Sequence, residues 1–365
     1  MSELGISIYP SKSSFDEMSE YLKLAQSLGY TRLFTSMLEV ADNAQETVDY
    51  FKKIISLGND LGMKTSLDVN PSLFKALNIS YDDLSPFANM GIWSLRLDEG
   101  FTGYEEAKMT QNSFGLKIEL NISRGQHYID MVNDFGANKR QLIGSHNFYP
   151  QSYTGLNLNY FIKTAKQYQS YNILTAAFID SRSGKVGPWP VSNLMVSTEI
   201  QREMSIFSQV QLLKLTGVID DIFIASSVVS KTDLEAVSKA FNQSMPQLPI
   251  MVNTNISETE SKILLEEIHQ YRGDFSDYMI RSSQPRVKYK LEQIETGDVS
   301  DIKRGDITIG NSAAGQYKGE LQIALQNRPN DGSQNIVAHI KEIDHVLLDF
   351  MKPWHSFKFK NVSDD

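Results

Sequence analysis

The chain has 365 residues, with 44 Asp and Glu against 35 Lys and Arg, a net charge of −9, and no cysteine. At 41% hydrophobic and 22% charged, this is a globular composition, long enough for two domains or for one α/β barrel of about 250 residues with an appendage. Structural disulfides, thiolate zinc sites, iron–sulfur clusters and a Cys nucleophile are excluded together. The acidic balance argues against nucleic acid or an anionic membrane as a general partner.

Taken in chain order, apolar periodicity switches repeatedly between strand and helix. Ile6–Tyr9 predicts a first strand, and Phe15–Gly29 a helix with Phe15, Met18, Leu22 and Ala25 on one face. Thr31–Leu38, Lys64–Val69 and Ile92–Leu97 predict the next three strands. A helix over Ala44–Leu61 and a helical region interrupted at Pro86 separate them. Leu116–Ile122, Gln141–Phe148, Ile173–Ile179 and Asp221–Ile224 complete eight strands. Helices over Tyr104–Phe114, Gln126–Phe135, Leu158–Tyr168, Thr198–Leu215 and Asp233–Phe241 fall around them. Eight such units in residues 1–243 predict an α/β fold, a (β/α)8 barrel. An open doubly wound sheet is the alternative, but no G-x-G-x-x-G follows the first strand.

Past the turn-rich junction at Pro246 and Pro249 the pattern changes. Residues 248–365 predict a small β-rich domain, with one helix over Glu258–Tyr271 and short strands over Asp306–Ile309, Tyr317–Leu325, Ile336–Ile340 and Val346–Phe350. No basic and apolar leader opens the chain and no apolar run approaches about 20 residues, so a cytosolic protein without a membrane partner is expected.

In a barrel the chemistry lies at the C-terminal ends of the strands, and here those ends are polar. They carry Ser7 and Tyr9, Asp68, Asp98 and Glu99, Glu119 and Asn121, His146, Asn147 and Tyr149, Asp180 and Arg182, and Ser226 and Ser227. Asp68, Asp98 and Glu119, on three neighbouring strands, are expected to repel one another, so that one keeps its proton towards neutral pH, as a general acid must. Alternatively, Glu119 or Arg96 belongs to a satisfied polar layer inside the barrel. His146, Asn147 and Tyr149 suit a polar ligand with an aromatic wall, or else form a turn stopped by Pro150. The loop Ser181-Arg182-Ser183-Gly184-Lys185, with Ser226 and Ser227, fits an anion, or is a solvated basic turn. The other histidines show no ligand spacing: His127 and His269 fall in predicted helices, and His339, His345 and His355 are scattered. No metal motif occurs and no cofactor is implied.

Five stretches carry a family resemblance: Gly5-Ile6-Ser7-Ile8-Tyr9-Pro10, Leu95-Arg96-Leu97-Asp98-Glu99-Gly100-Phe101, His146-Asn147-Phe148-Tyr149-Pro150, and, in the tail, Arg304-Gly305-Asp306-Ile307-Thr308-Ile309 with Tyr317-Lys318-Gly319-Glu320-Leu321. Together they resemble the bacterial 6-phospho-N-acetylmuramidases from end to end. The resemblance implies a (β/α)8 barrel followed by a cyclophilin-like β domain. It also implies a cytosolic glycosidase that splits 6-phospho-N-acetylmuramyl-N-acetylglucosamine in peptidoglycan recycling.

Glycoside hydrolysis generally needs two carboxyl groups. Asp98 is the expected general acid, with Glu119 or Asp68 as the second carboxylate. Alternatively the substrate's 2-acetamido group serves as nucleophile, oriented by Glu99 or Asp68. His146, Asn147 and Tyr149 would hold the sugar, Arg182, Ser226 and Ser227 the 6-phosphate, and Arg281 would reach in from the second domain. The rivals are a non-catalytic phosphosugar sensor and a phosphosugar lyase. No lysine at a strand end supports a Schiff base.

Overall fold

The computed structural model describes residues 2–37, 44–98, 100–188 and 193–362. They form two compact units, Met1–Phe241 and Asn242–Asp365. In the first, β1 (Leu4–Ser7), β2 (Arg32–Ser36), β3 (Lys64–Val69), β4 (Ser94–Leu97), β5 (Lys117–Asn121), β6 (Leu142–Ser145), β7 (Thr175–Ile179) and β8 (Asp221–Ile224) pair in that order. Every pairing is parallel, and β8 closes on β1. This is the (β/α)8 barrel that the alternation of elements predicts. Leu38, the predicted end of the second strand, and Glu99 lie outside the described residues.

Strand periodicity divides each strand between two environments. Leu67, Val69, Leu95, Leu97, Ile118 and Leu120 join the core beneath the surrounding helices, where Phe51, Phe74 and Phe87 cover them. The alternate residues face the barrel interior, and its two halves differ in kind. Phe34, Ala176, Phe178 and Phe223, on β2, β7 and β8, form an apolar cluster with Ala225 just past β8. Ser66, Asp68, Ser94, Arg96 and Glu119, all buried, fill the side of β3 to β5.

Several predicted elements are corrected. The helix expected over Thr198–Leu215 is a 3-10 turn, Glu199–Glu203, followed by a helix over Ile206–Thr216. Ser205 breaks the run, because its Oγ accepts from the Ser208 N–H as an N-cap. Pro86 stands in the first turn of a short helix, Ser85–Asn89, where its missing N–H costs nothing.

In the second unit β9 (Gln247–Val252), β10 (His269–Gln270), β11 (Met279–Ser282), β12 (Asp306–Gly310), β13 (Leu321–Ala324), β14 (Gln334–His339) and β15 (Ser356–Asn361) form one sheet in the order β10-β15-β9-β14-β12-β13-β11. The sheet is nearly closed: just past β10, the Arg272 N–H donates to the Arg281 carbonyl of β11 at 3.0 Å. The predicted helix over Glu258–Tyr271 stops at Leu265, and His269 is a buried strand residue. Val346–Phe350 lies in a 3-10 segment, Glu342–Phe350, where the consecutive Leu347 and Leu348 are both buried, which strand alternation would not allow. Pro249 is accommodated inside β9, where the neighbour in register is Lys360 of parallel β15.

Candidate active site

Arg96 organises the polar half of the barrel. Its Cα neighbours in register are Asp68 on β3 and Glu119 on β5, so all three side chains enter the interior at one level. They then lean in opposite directions. Glu119 turns towards Ser66 and Ser94, one inward-facing layer nearer the strand starts, accepting from their hydroxyls at 2.9 and 3.0 Å. Arg32 closes that layer, ion-paired to Asp221, donating to Ser66 Oγ at 3.0 Å and standing 3.9 Å from Glu119. Glu119 is thus walled into the barrel, as the interior-layer alternative anticipates, and the cleft lies on the other side of Arg96.

Arg96 turns towards the strand ends. Its Nε donates to Ser145 Oγ at 2.9 Å and its Nη1 to Asp68 Oδ1 at 3.1 Å. Its Nη2 donates to Asn147 Oδ1 and stands 3.6 Å from Asp98 Oδ1. Burial works against the guanidinium's charge, but Asp98, Asp68 and Glu119 outweigh it and hold Arg96 above its ordinary pKa. Asp68, only 5% exposed, is affected most: burial, reinforced by Asp98 and Glu119 against the opposing pull of Arg96, pushes its carboxyl up to about 7.

Asp98, one residue past β4, has the most open carboxyl group of this cluster, with 27% of its side chain exposed. Asn121 Nδ2 donates to its Oδ1 at 2.8 Å, so β5 fixes the acid that β4 supplies. Asp98 lines a cleft of about 370 Å³ with Gly100, Asn121, Ser123, Arg124, Asn147 and Tyr149. Gly100 has φ +83°, and a Cβ there would stand 2.9 Å from the Pro71 ring, so the turn after Asp98 needs glycine.

Asp98, Asn121, Asn147 and Tyr149 are therefore brought together as the sequence suggests, and Asp68 stands just behind this lining, joined to Asp98 through Arg96; the remaining expected site residues lie elsewhere. His146 is fully buried, stacked on Phe161 with ring centroids 4.0 Å apart and its Nδ1 3.2 Å from Ser123 Oγ. Burial pushes its imidazole down to about 3, which makes it a neutral core residue rather than a wall of the cleft. Ser7 and Tyr9 donate to the carbonyls of Ile224 and Ala225, at 2.8 and 2.7 Å, and so tie β1 to the end of β8.

Asp180 accepts from the backbone N–H groups of Ser181, Met195 and Ser226 and from Ser226 Oγ. It is a buried bracket for the loops, with its pKa raised chiefly by burial. Ser227 exchanges backbone hydrogen bonds with Val186, which leaves the two serines holding the loop that was expected to bind the phosphate. Arg182 is exposed, its Nη2 3.4 Å from the Arg202 carbonyl. Arg281 belongs to the second unit, on Glu320. The cation in the lining of the cleft is Arg124, which sequence reasoning misses; its guanidinium lies 4.0 Å from the centre of the Tyr128 ring. The signal was its place three residues beyond the end of β5.

Residues 4–239 match the N-terminal, and residues 246–360 the C-terminal, family model of 6-phospho-N-acetylmuramidase. The chain belongs to this family. Its fold is shared along its whole length with an uncharacterized Bacillus cereus (B. cereus) protein of known crystal structure, 39% identical, with a TM-score of 0.89 over 98% of this chain and 99% of that one. A conserved Enterococcus faecalis protein of unknown function, 22% identical, matches with a TM-score of 0.73 over 99% and 96% of the two chains and shows the same fold. No curated protein matches the chain. The family is named for a glycosidase, and the cleft at the strand ends of the barrel is where such an activity belongs. Among the described residues no helix is long and apolar enough to cross a membrane.

Proposed function

We propose that the protein is a cytosolic glycoside hydrolase that cleaves 6-phospho-N-acetylmuramyl-N-acetylglucosamine in peptidoglycan recycling. Family membership gives the reaction class; the observation that carries the chemistry is a pair of carboxyl groups on two arms of one guanidinium. A carboxyl group whose pKa burial lifts towards neutral can serve as a general acid. Asp68, pushed up to about 7, is the member that keeps a proton up to the edge of neutral pH. Asp98, held by Asn121 and 3.6 Å from Arg96, is the member that faces the cleft. This reverses the roles that sequence position alone suggests.

In the reaction the glycosidic oxygen takes the proton of Asp68 as its bond to the anomeric carbon breaks. Asp98 faces the positive charge that develops there. Water adds to that carbon and its proton returns to Asp68. Arg124 receives an anionic group of the substrate, and Asn147 and Tyr149 its hydroxyls. The test is mass spectrometry of the disaccharide after incubation in heavy-oxygen water. N-acetylglucosamine and a singly labelled N-acetylmuramic acid 6-phosphate are expected. An unlabelled, unsaturated product would mean a lyase, and intact disaccharide on folded, ligand-free protein would overturn the reading.

A further inference from the structure

We propose that the second unit carries a binding site of its own for a small phosphorylated carbohydrate, in the groove that passes Arg281 and Tyr317. This proposal does not rest on the hydrolase reading. Two cavities of about 720 and 620 Å³ share these two residues in their linings, and they differ in chemistry. The larger is also lined by Arg272, Arg286, Lys290 and Lys318, with Asp274 as its one carboxylate. The smaller is lined by hydroxyl and amide groups, from Ser276, Gln322, Asn330, Ser333 and Gln334, with its charges balanced between Arg281 and Arg328 on one side and Glu320 and Asp331 on the other.

The basic end is built rather than incidental. Glu320 is fully buried and accepts from Arg281 Nε at 2.9 Å, Arg281 Nη2 at 3.2 Å, Ser283 Oγ at 2.8 Å and Arg286 Nη1 at 3.4 Å. Arg272 Nη1 donates to the same Ser283 hydroxyl at 3.1 Å, and its Nε is fixed on Asp274 at 2.6 Å. Three guanidiniums are thus held in place, with N–H groups to spare: Glu320 occupies Nε and Nη2 of Arg281 and one amino group of Arg286.

Five cations face two carboxylates, an excess of positive charge in a chain whose net charge is −9. Such a cluster repels itself unless an anion completes it, and planar guanidiniums match a phosphate's oxygens. Tyr317, 41% exposed and 5.9 and 5.5 Å from the Arg281 and Arg286 guanidinium carbons, offers an aromatic face at the junction. Beyond it, in the smaller cavity, Arg328 has a buried Nη1 without a hydrogen-bond partner, while its Nη2 donates to Gln322 at 3.0 Å. An anionic end, a ring to stack and hydroxyls beyond it describe a sugar phosphate.

Hydrogen exchange of the full-length protein, read by mass spectrometry, tests this with N-acetylglucosamine 6-phosphate as probe. Residues 279–290 and 312–322 should exchange more slowly with the probe, and unchanged with N-acetylglucosamine or with equal inorganic phosphate. Arg286→Gln should weaken the affinity read from that protection by about tenfold or more. Arg272→Gln should act in the same direction; it frees the exposed Asp274 and removes one donor from Ser283, whose hydroxyl still donates to Glu320. Equal protection by inorganic phosphate would overturn the carbohydrate assignment, and no protection at millimolar probe would overturn the site. Protection confined to residues 98–124 would also overturn it, and would leave the hydrolase reading standing.

Discussion

The two units solve opposite charge problems with the same side chains. In the barrel one guanidinium, Arg96, is shared by Asp68, Asp98 and Glu119. In the second unit one buried carboxylate, Glu320, is shared by Arg281 and Arg286. A cation outnumbered by carboxylates leaves negative charge that burial converts into a held proton, at Asp68. A carboxylate outnumbered by guanidiniums leaves N–H groups that burial cannot neutralise, because an Arg does not give up its proton. The first arrangement suits proton transfer and the second suits holding an anion.

The sharpest way to break this comparison is at the barrel carboxylates. Asp98→Asn should lower kcat by roughly a thousandfold on every substrate, because the charge facing the anomeric carbon is lost whatever the leaving group. Asp68→Asn should cost about 10²- to 10⁴-fold on the disaccharide, the usual worth of a general acid. It should cost much less on an aryl glycoside of 6-phospho-N-acetylmuramic acid, whose leaving group needs no proton. Equal losses on both substrates would remove Asp68 from the acid role.

The pH dependence has a definite sign. A carboxyl raised to about 7 holds its proton below that pH, so turnover should fall as pH rises through about 7, and Asp68→Asn should abolish this limb. Stability moves the same way. Between an unfolded pKa of about 4 and the folded value, the native state binds the extra proton, so the Asp68 contribution is lost as pH rises through that window. Denaturant midpoints of wild type and Asp68→Asn measured across pH 5 to 8 should converge at the alkaline end, relative to a wild-type advantage at the acid end.

Arg124→Ala comes next in size. It should raise KM on the phosphorylated disaccharide roughly tenfold or more and leave the unphosphorylated analogue little affected, since a hydrogen bond to a charged group is at stake. Arg182→Ala is the control. If Arg182 and not Arg124 shows this split, the phosphate is held at the loop after β7.

The barrel was legible because it repeats one local pattern eight times, and period-2 alternation at Leu95 and Leu97, next to Gly100, is enough to place Asp98 at a strand end. Direction within the interior was not legible. Asp68, Arg96 and Glu119 share a level, and only packing decides that Glu119 leans towards Ser66 and Ser94 while Arg96 leans towards Asp98. The same limit explains Ser226, whose strand-end position promises a free donor that Asp180 has already taken. In the second unit the signals are shorter and less regular. Phe357, Lys358, Phe359 and Lys360 alternate as a strand should, yet β15 is unassigned by the sequence reading, and β11 has four residues.

The smallest expected effect tests the apolar half of the barrel against its polar half. Gly5 on β1 stands in register with Phe223 on β8, and a Cβ at Gly5 would meet that ring at 2.2 Å. The ring has little room to retreat: Phe178 lies 5.5 Å away, itself packed edge-on against Phe34 at 5.3 Å. Gly5→Ala should therefore cost about 1–3 kcal/mol by overpacking, a fall in Tm of roughly 3–10 °C. Phe223→Leu in the same chain should restore part of it by opening the space the methyl needs. The carboxylates are carried by β3 to β5, across the barrel from this contact, so kcat at a temperature where the variant is folded should stay close to wild type. A fall in kcat that tracks the loss of Tm would show instead that the aromatic half sets the geometry of Arg96 and Asp98 directly.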